Sequence, residues 1–122
     1  MFTYKISTGE LTAANGVVSH GYSGAAGIGK NNPAEEGVKN VGPIPEGTYT
    51  IQGPPFDTAE HGPFVMRLIP DESNNMHGRG SFLIHGDSLK KPGTASEGCL
   101  IFAFTIRQSI WLSGDRRLQV VA

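Results

Sequence analysis

A chain of 122 residues reads as one domain, 1–122, long enough to bury roughly two thirds of the surface its unfolded form exposes. Ten basic against eleven acidic side chains, with no long run of either sign, leave no electrostatic footprint for nucleic acid or an anionic membrane. The single cysteine excludes an internal disulfide, and no apolar stretch approaches the roughly twenty residues that span a bilayer, so membrane insertion is not expected.

Met1-Phe2-Thr3-Tyr4-Lys5-Ile6 has neither a basic leader before an apolar core nor a small-residue cleavage site, which predicts synthesis in the cytoplasm without the general export signal. Phe2, Tyr4 and Ile6 alternate with polar residues, the period of a half-buried strand. Ser7-Thr8-Gly9-Glu10 turns the chain into Leu11-Thr12-Ala13, and Asn15-Gly16 marks a second turn before Val17-Val18-Ser19-His20. From Gly21 to Gly47 glycines and prolines replace large apolar residues, which predicts a long loop wrapping a substrate cleft, an ordinary ordered surface loop or a disordered insert being the alternative. Pro43 and Pro45 stiffen its end.

Thr48-Tyr49-Thr50-Ile51 reads as a strand that Pro54-Pro55 should end. Phe64-Val65-Met66-Arg67-Leu68-Ile69 reads as another. Apolar residues at both parities, Val65 and Ile69 against Phe64, Met66 and Leu68, predict a central strand. A polar loop from Asp71 to Gly80 follows, then the apolar run Phe82-Leu83-Ile84 ending on His85. One helix is expected over roughly Ala103 to Ser113, with Phe102, Ile106 and Ile110 on one stripe and Gly114 as terminator. Leu118-Gln119-Val120-Val121 returns as a strand, so about seven short strands and one late helix predict a mostly-β sandwich or barrel-like domain.

The chemistry gathers around Cys99, which lies on a small-residue turn fourteen positions after His85. A thiol attacks a carbonyl as thiolate and needs a base or cation to lower its pKa from about 8.5, and His85 is the candidate partner. His20, His61 and His77 compete with it, but only His85 directly follows an apolar strand. A buried structural thiol is the other reading of Cys99; the small neighbours Ser96 and Gly98 favour a reactive turn, whose backbone N–H groups could face a developing oxyanion. Asp87 is a possible orienter of the imidazole. Four histidines and one cysteine show none of the close spacings of a zinc motif, so neither metal nor cofactor is expected.

Ile84-His85-Gly86, a loop, then Ser96-Glu97-Gly98-Cys99-Leu100 resembles the active-site signature of L,D-transpeptidases, and most closely the type VI secretion effectors that carry such a domain. Ser23-Gly24, Asn31-Asn32-Pro33, Gly42-Pro43-Ile44-Pro45-x-Gly47-x-Tyr49 and His77-Gly78-Arg79 extend the resemblance over most of the chain. It implies an L,D-transpeptidase-like β-sandwich with one short helix after the catalytic cysteine. It implies Cys99 as nucleophile, His85 as base, and the carbonyl of Gly86 as holder of the second ring nitrogen. Glu97 stands where most L,D-transpeptidases have histidine, and alone it should disfavour the thiolate; a solvated loop glutamate is its other reading.

The resemblance further implies an enzyme acting on peptidoglycan tetrapeptide stems by L,D-carboxypeptidase or transpeptidase exchange. Such an enzyme would be injected into a competitor's periplasm and restrained in the producer by an immunity protein. On that reading Glu97 or Asp87 meets the ammonium of a diaminopimelate residue, Arg67 or Arg79 meets a carboxylate, and Ser96 and Gly98 complete the substrate-binding set. A catalytically inactive binding module of the same fold and an unrelated cysteine peptidase or amidase are the alternatives.

Overall fold

The alternating N-terminal segment forms β1 (Phe2–Lys5), with Phe2, Tyr4 and Ile6 all buried. It turns into β2 (Glu10–Thr12), and the Asn15-Gly16 turn leads into β3 (Val18–His20), both pairings antiparallel. The computed structural model describes residues 1–122 and continues with β4 (Tyr22–Ser23), a 3-10 turn (Pro33–Glu35), β5 (Gly47–Thr58), β6 (Gly62–Pro70), β7 (Leu83–His85), β8 (Leu100–Ile101), α1 (Phe104–Leu112) and β9 (Arg117–Val121). No helix is long and apolar enough to cross a membrane.

The chain is mostly β, as expected, with nine strands in one mixed sheet ordered β3-β2-β1-β9-β5-β6-β7-β8-β4. Two neighbouring pairs, β1 with β9 and β7 with β8, are parallel. The two edge strands, β3 and β4, are separated in sequence by Gly21 alone, so the sheet must curl until its edges meet at one residue. The Gly21 N–H donates to the Gly9 carbonyl at 2.9 Å on one side, while Tyr22 pairs with Ile101 on the other. A Cβ at Gly21 would lie 2.1 Å from the Ile101 carbonyl oxygen and 2.6 Å from the Phe102 ring, so only glycine allows this seam. Inside the curl, a core of sixteen residues joins strands from both halves, with Tyr4 and Phe102 packed edge to face at 6.0 Å.

Two strand expectations change. β5 runs through Pro54 and Pro55 to Thr58, because its register against β6 shifts between Gln52 and Phe56. The prolines occupy that irregular stretch, where the ladder needs no N–H from them. β6 is interior to the sheet, between β5 and β7, but its alternation breaks at Phe64, whose φ is +60°. Val65 and Met66 are both buried, while Ile69 is 42 % exposed. α1 ends at a Ser113 cap followed by Gly114 at φ +75°, and besides Ile110 it buries Arg107, which an apolar stripe could not announce.

Candidate active site

Parallel pairing of β7 with β8 sets Ile84 opposite Leu100 and His85 opposite Ile101, so the residue entering β8, Cys99, lies beside Leu83, two positions before His85 and in the same side-chain phase of the strand pair. The buried Ile84, Leu100 and Ile101 hold both backbones. His85 and Cys99 border one open cleft of about 1690 Å³, larger than the few hundred to a thousand Å³ usual for a compact small-molecule site. Such a groove suits a length of extended chain. The hairpin tip between β5 and β6, the start of α1, and Lys39 and Asn40 from the long loop form its other walls.

His85 is 2 % exposed, and its Nδ1 lies 2.8 Å from the Gly86 carbonyl oxygen. A carbonyl only accepts, so Nδ1 carries the proton and Nε2 is left as the basic nitrogen. Burial lowers the His85 pKa first of all; the Gly86 hydrogen bond opposes this, and His61 and Arg107 add to the lowering. The Cys99 thiol is moved the other way, upward, chiefly by burial. A backbone hydrogen bond from Leu83 and the Arg79 charge oppose that rise, and Glu97 adds to it. Both shifts favour the neutral thiol and the neutral imidazole over an ion pair, because desolvation is the largest influence on each.

The turn before Cys99 is tied to the long loop by hydrogen bonds. Ser96 Oγ accepts from the Gly24 N–H at 2.9 Å and the Gly98 N–H at 3.0 Å, and donates to the Cys99 carbonyl at 2.7 Å. Ser23 Oγ donates to the Gly98 carbonyl and accepts from the Ile44 N–H, both at 2.9 Å. Gly98 has φ +141°, and a Cβ there would meet Arg79 at 2.6 Å and Phe82 at 2.7 Å. Of the turn's N–H groups, that of Gly98 is thus occupied, while that of Cys99 donates to no acceptor of the chain.

The remaining candidates are placed as follows. Asp87 accepts from the Tyr22 hydroxyl at 2.7 Å and from the Ser88 and Gly93 N–H groups at 2.8 and 3.0 Å, so it organises the loop over 88–93 and does not orient His85. Burial alone would raise its pKa, but these donors together hold it below the usual carboxylate value. Arg79 borders the cleft, yet its guanidinium donates to the carbonyls of Glu36, Pro43, Gly42 and Glu97 and is itself buried. Arg67 lies on β6 over the Phe56 ring, outside the cleft. Glu97 is exposed at the cleft edge, and Ser96 is buried behind it.

Two residues enter the site without having been singled out. His61, weighed in the sequence only as a competitor of His85, stacks on it with ring centroids 4.3 Å apart. Arg107 reaches from α1 to the carbonyls of Phe102, Phe64 and Pro63, pinning the helix and the hairpin tip beside Gly86. Neither has a local sequence signal: His61 meets His85 from another hairpin, and Arg107 reaches Phe64 and Pro63, 43 and 44 residues away. No group of three or more potential metal-ligating side chains occurs.

Against models of known families, residues 18–121 match one described as the Tlde1 domain. Comparison with curated proteins gives no match.

Proposed function

The chain belongs to the Tlde1-domain family, the L,D-transpeptidase effectors of type VI secretion, which makes it a peptidoglycan-targeting effector; from that membership we propose that it is a cysteine acyl-transfer enzyme acting on tetrapeptide stems. The observation that carries this is the His85 Nδ1 contact to the Gly86 carbonyl, which leaves Nε2 as a base in the cleft that Cys99 borders.

The Cys99 sulfur attacks the carbonyl carbon of the third stem residue as its proton passes to His85 Nε2. Because burial disfavours both charged forms, proton transfer accompanies attack and no standing thiolate is required. The carbonyl oxygen becomes an oxyanion, and the Cys99 N–H, which donates to nothing in the chain, is the donor available to it. Collapse breaks the amide bond, and His85 returns its proton to the departing D-alanine amine. The thioester then passes to water, giving a shortened stem, or to an amine, giving exchange or cross-linking. Glu97 at the cleft edge suits the ammonium of a diaminopimelate side chain, and the lining Lys39 and Lys90 suit a carboxylate. The site of action is the periplasm of a target bacterium, with an immunity protein as partner in the producing cell.

Purified protein incubated with tetrapeptide muropeptides should release one D-alanine, read by mass spectrometry. Cys99→Ala should stay folded and release none, and His85→Ala should lose most of the rate. Cleavage at another bond would mean a different cysteine peptidase or amidase, and unchanged muropeptides would mean a binding module.

A further inference from the structure

The hairpin tip between β5 and β6 places an imidazole that the steps above do not use. The His61 ring lies against the His85 ring at a centroid distance of 4.3 Å and an interplanar angle of 31°. The tip is built to hold it there. The His61 N–H donates to Thr58 Oγ1 at 2.7 Å, Gly62 turns the chain at φ +76°, and the Phe64 N–H donates to Asp57 Oδ1 at 3.1 Å. Arg107 fastens the far side of the tip through the Pro63 and Phe64 carbonyls. His61 keeps 24 % of its side-chain exposure, whereas His85 beneath it is closed to solvent.

We propose that His61 is a positioning residue for His85: when neutral, its ring face fixes the plane of the imidazole and supports the positive charge His85 gains from the thiol, and when protonated it opposes that charge and suppresses the pair. The proposal rests on the reading of Cys99 and His85 as the reacting pair. Its physical basis is that an aromatic face within about 6 Å of a cation attracts it, while two like charges at that separation in a poorly solvated site repel.

The ionisable groups that act on His85 are His61 and Glu60 from the hairpin tip and Arg107 from α1, and Cys99 and Glu97 of the turn line the same cleft. The Glu60 carboxylate lies 3.9 Å from His61 Nε2. Among these residue types, histidine is the one that ordinarily changes charge between pH 5 and 8. Arginine stays charged across that range.

The test compares wild type with His61→Phe, which keeps a flat ring and cannot ionise, and His61→Ala, which has no ring. The alkylation rate of Cys99 by iodoacetamide is followed by mass from pH 5 to 8, alongside kcat/KM on tetrapeptide stems. At pH 8 His61→Phe should stay near the wild-type alkylation rate and His61→Ala should fall about tenfold, the size of cation–π support at a desolvated site. On acidification the wild-type rate should drop more steeply than that of His61→Phe, because two imidazoles must be neutral in one and a single imidazole in the other. Superimposable profiles for wild type and His61→Phe, or a wild-type alkylation rate in folded His61→Ala, would overturn the proposal. Should His61→Ala not fold, the comparison of slopes with His61→Phe decides alone. Alkylation requires no substrate, so its outcome stands even if the stems prove not to be cleaved.

Discussion

Arg79 offers the sharpest test of what holds the cleft together. Its guanidinium donates to four main-chain carbonyls, of Glu36, Gly42, Pro43 and Glu97, and packs 5.2 Å above the Phe82 ring. Arg79→Met preserves the apolar stem but strands these acceptors. The bonds to Gly42 and Pro43 are fully buried, and an acceptor left unpaired in the interior costs about 1–3 kcal/mol, so about 2–6 kcal/mol of stability is at stake. Burial depresses the Arg79 pKa, meaning that the ion itself bears a desolvation cost which the substitution returns. The lower half of the range is therefore expected.

For a chain of 122 residues, an unfolding entropy of about 2.1 cal/mol/K per residue converts that range into a fall in Tm of roughly 8–23 °C. Circular dichroism melts and urea titrations of wild type and variant would measure it. Arg79→Lys should recover only part of the loss, since one ammonium cannot span four carbonyls with the planar fork of arginine. A variant that melts within about 3 °C of wild type, and loses only affinity for stems, would refute the reasoning and return Arg79 to a ligand-binding role.

The hydroxyl of Tyr4 is buried without a partner, and desolvation drives its pKa far upward; Tyr4→Phe should leave stability unchanged or raise it by about 1–2 kcal/mol in urea titrations, and a loss above about 1 kcal/mol would point to a partner for that oxygen. Glu97→Gln removes a carboxylate that raises the Cys99 pKa, so alkylation of the free protein at pH 8 should speed up, while the preference for stems carrying diaminopimelate over stems lacking that second charged end should weaken. Equal loss on both stems would make Glu97 a support of the turn. Asp71 bonds Arg117 at 2.6 and 3.0 Å together with the Thr48 hydroxyl, which lowers its pKa to about 2. Because the folded value lies below the unfolded one of about 3.9, its contribution is fully present above that value and is lost as pH falls toward 2. The stability gap between wild type and Asp71→Asn should therefore close between about pH 4 and 2, and a gap that stays constant would rule out the ionised pair as its source.

Local rules carried the sequence reading a long way. Strand periodicity at Phe2-Tyr4-Ile6 and at Leu118-Val120, the Asn15-Gly16 turn and the helix stop at Gly114 depend on neighbours a few residues away, and each is found where it was read. The match to the Tlde1 domain likewise follows from motifs visible in the chain, of which Ser23, Ser96 and Gly98 prove to be ties of the cysteine turn. What the sequence could not decide is whatever depends on how distant segments meet. The meeting of the two sheet edges at Gly21, the passage of β5 through its two prolines, and the occupation of Arg79 by carbonyls come from long-range pairing. So does the electrostatic state of the site. The sequence names His85 as the candidate partner of Cys99, but it is burial in the assembled fold that pushes the thiol up and the imidazole down, and tertiary packing that lays His61 across the base.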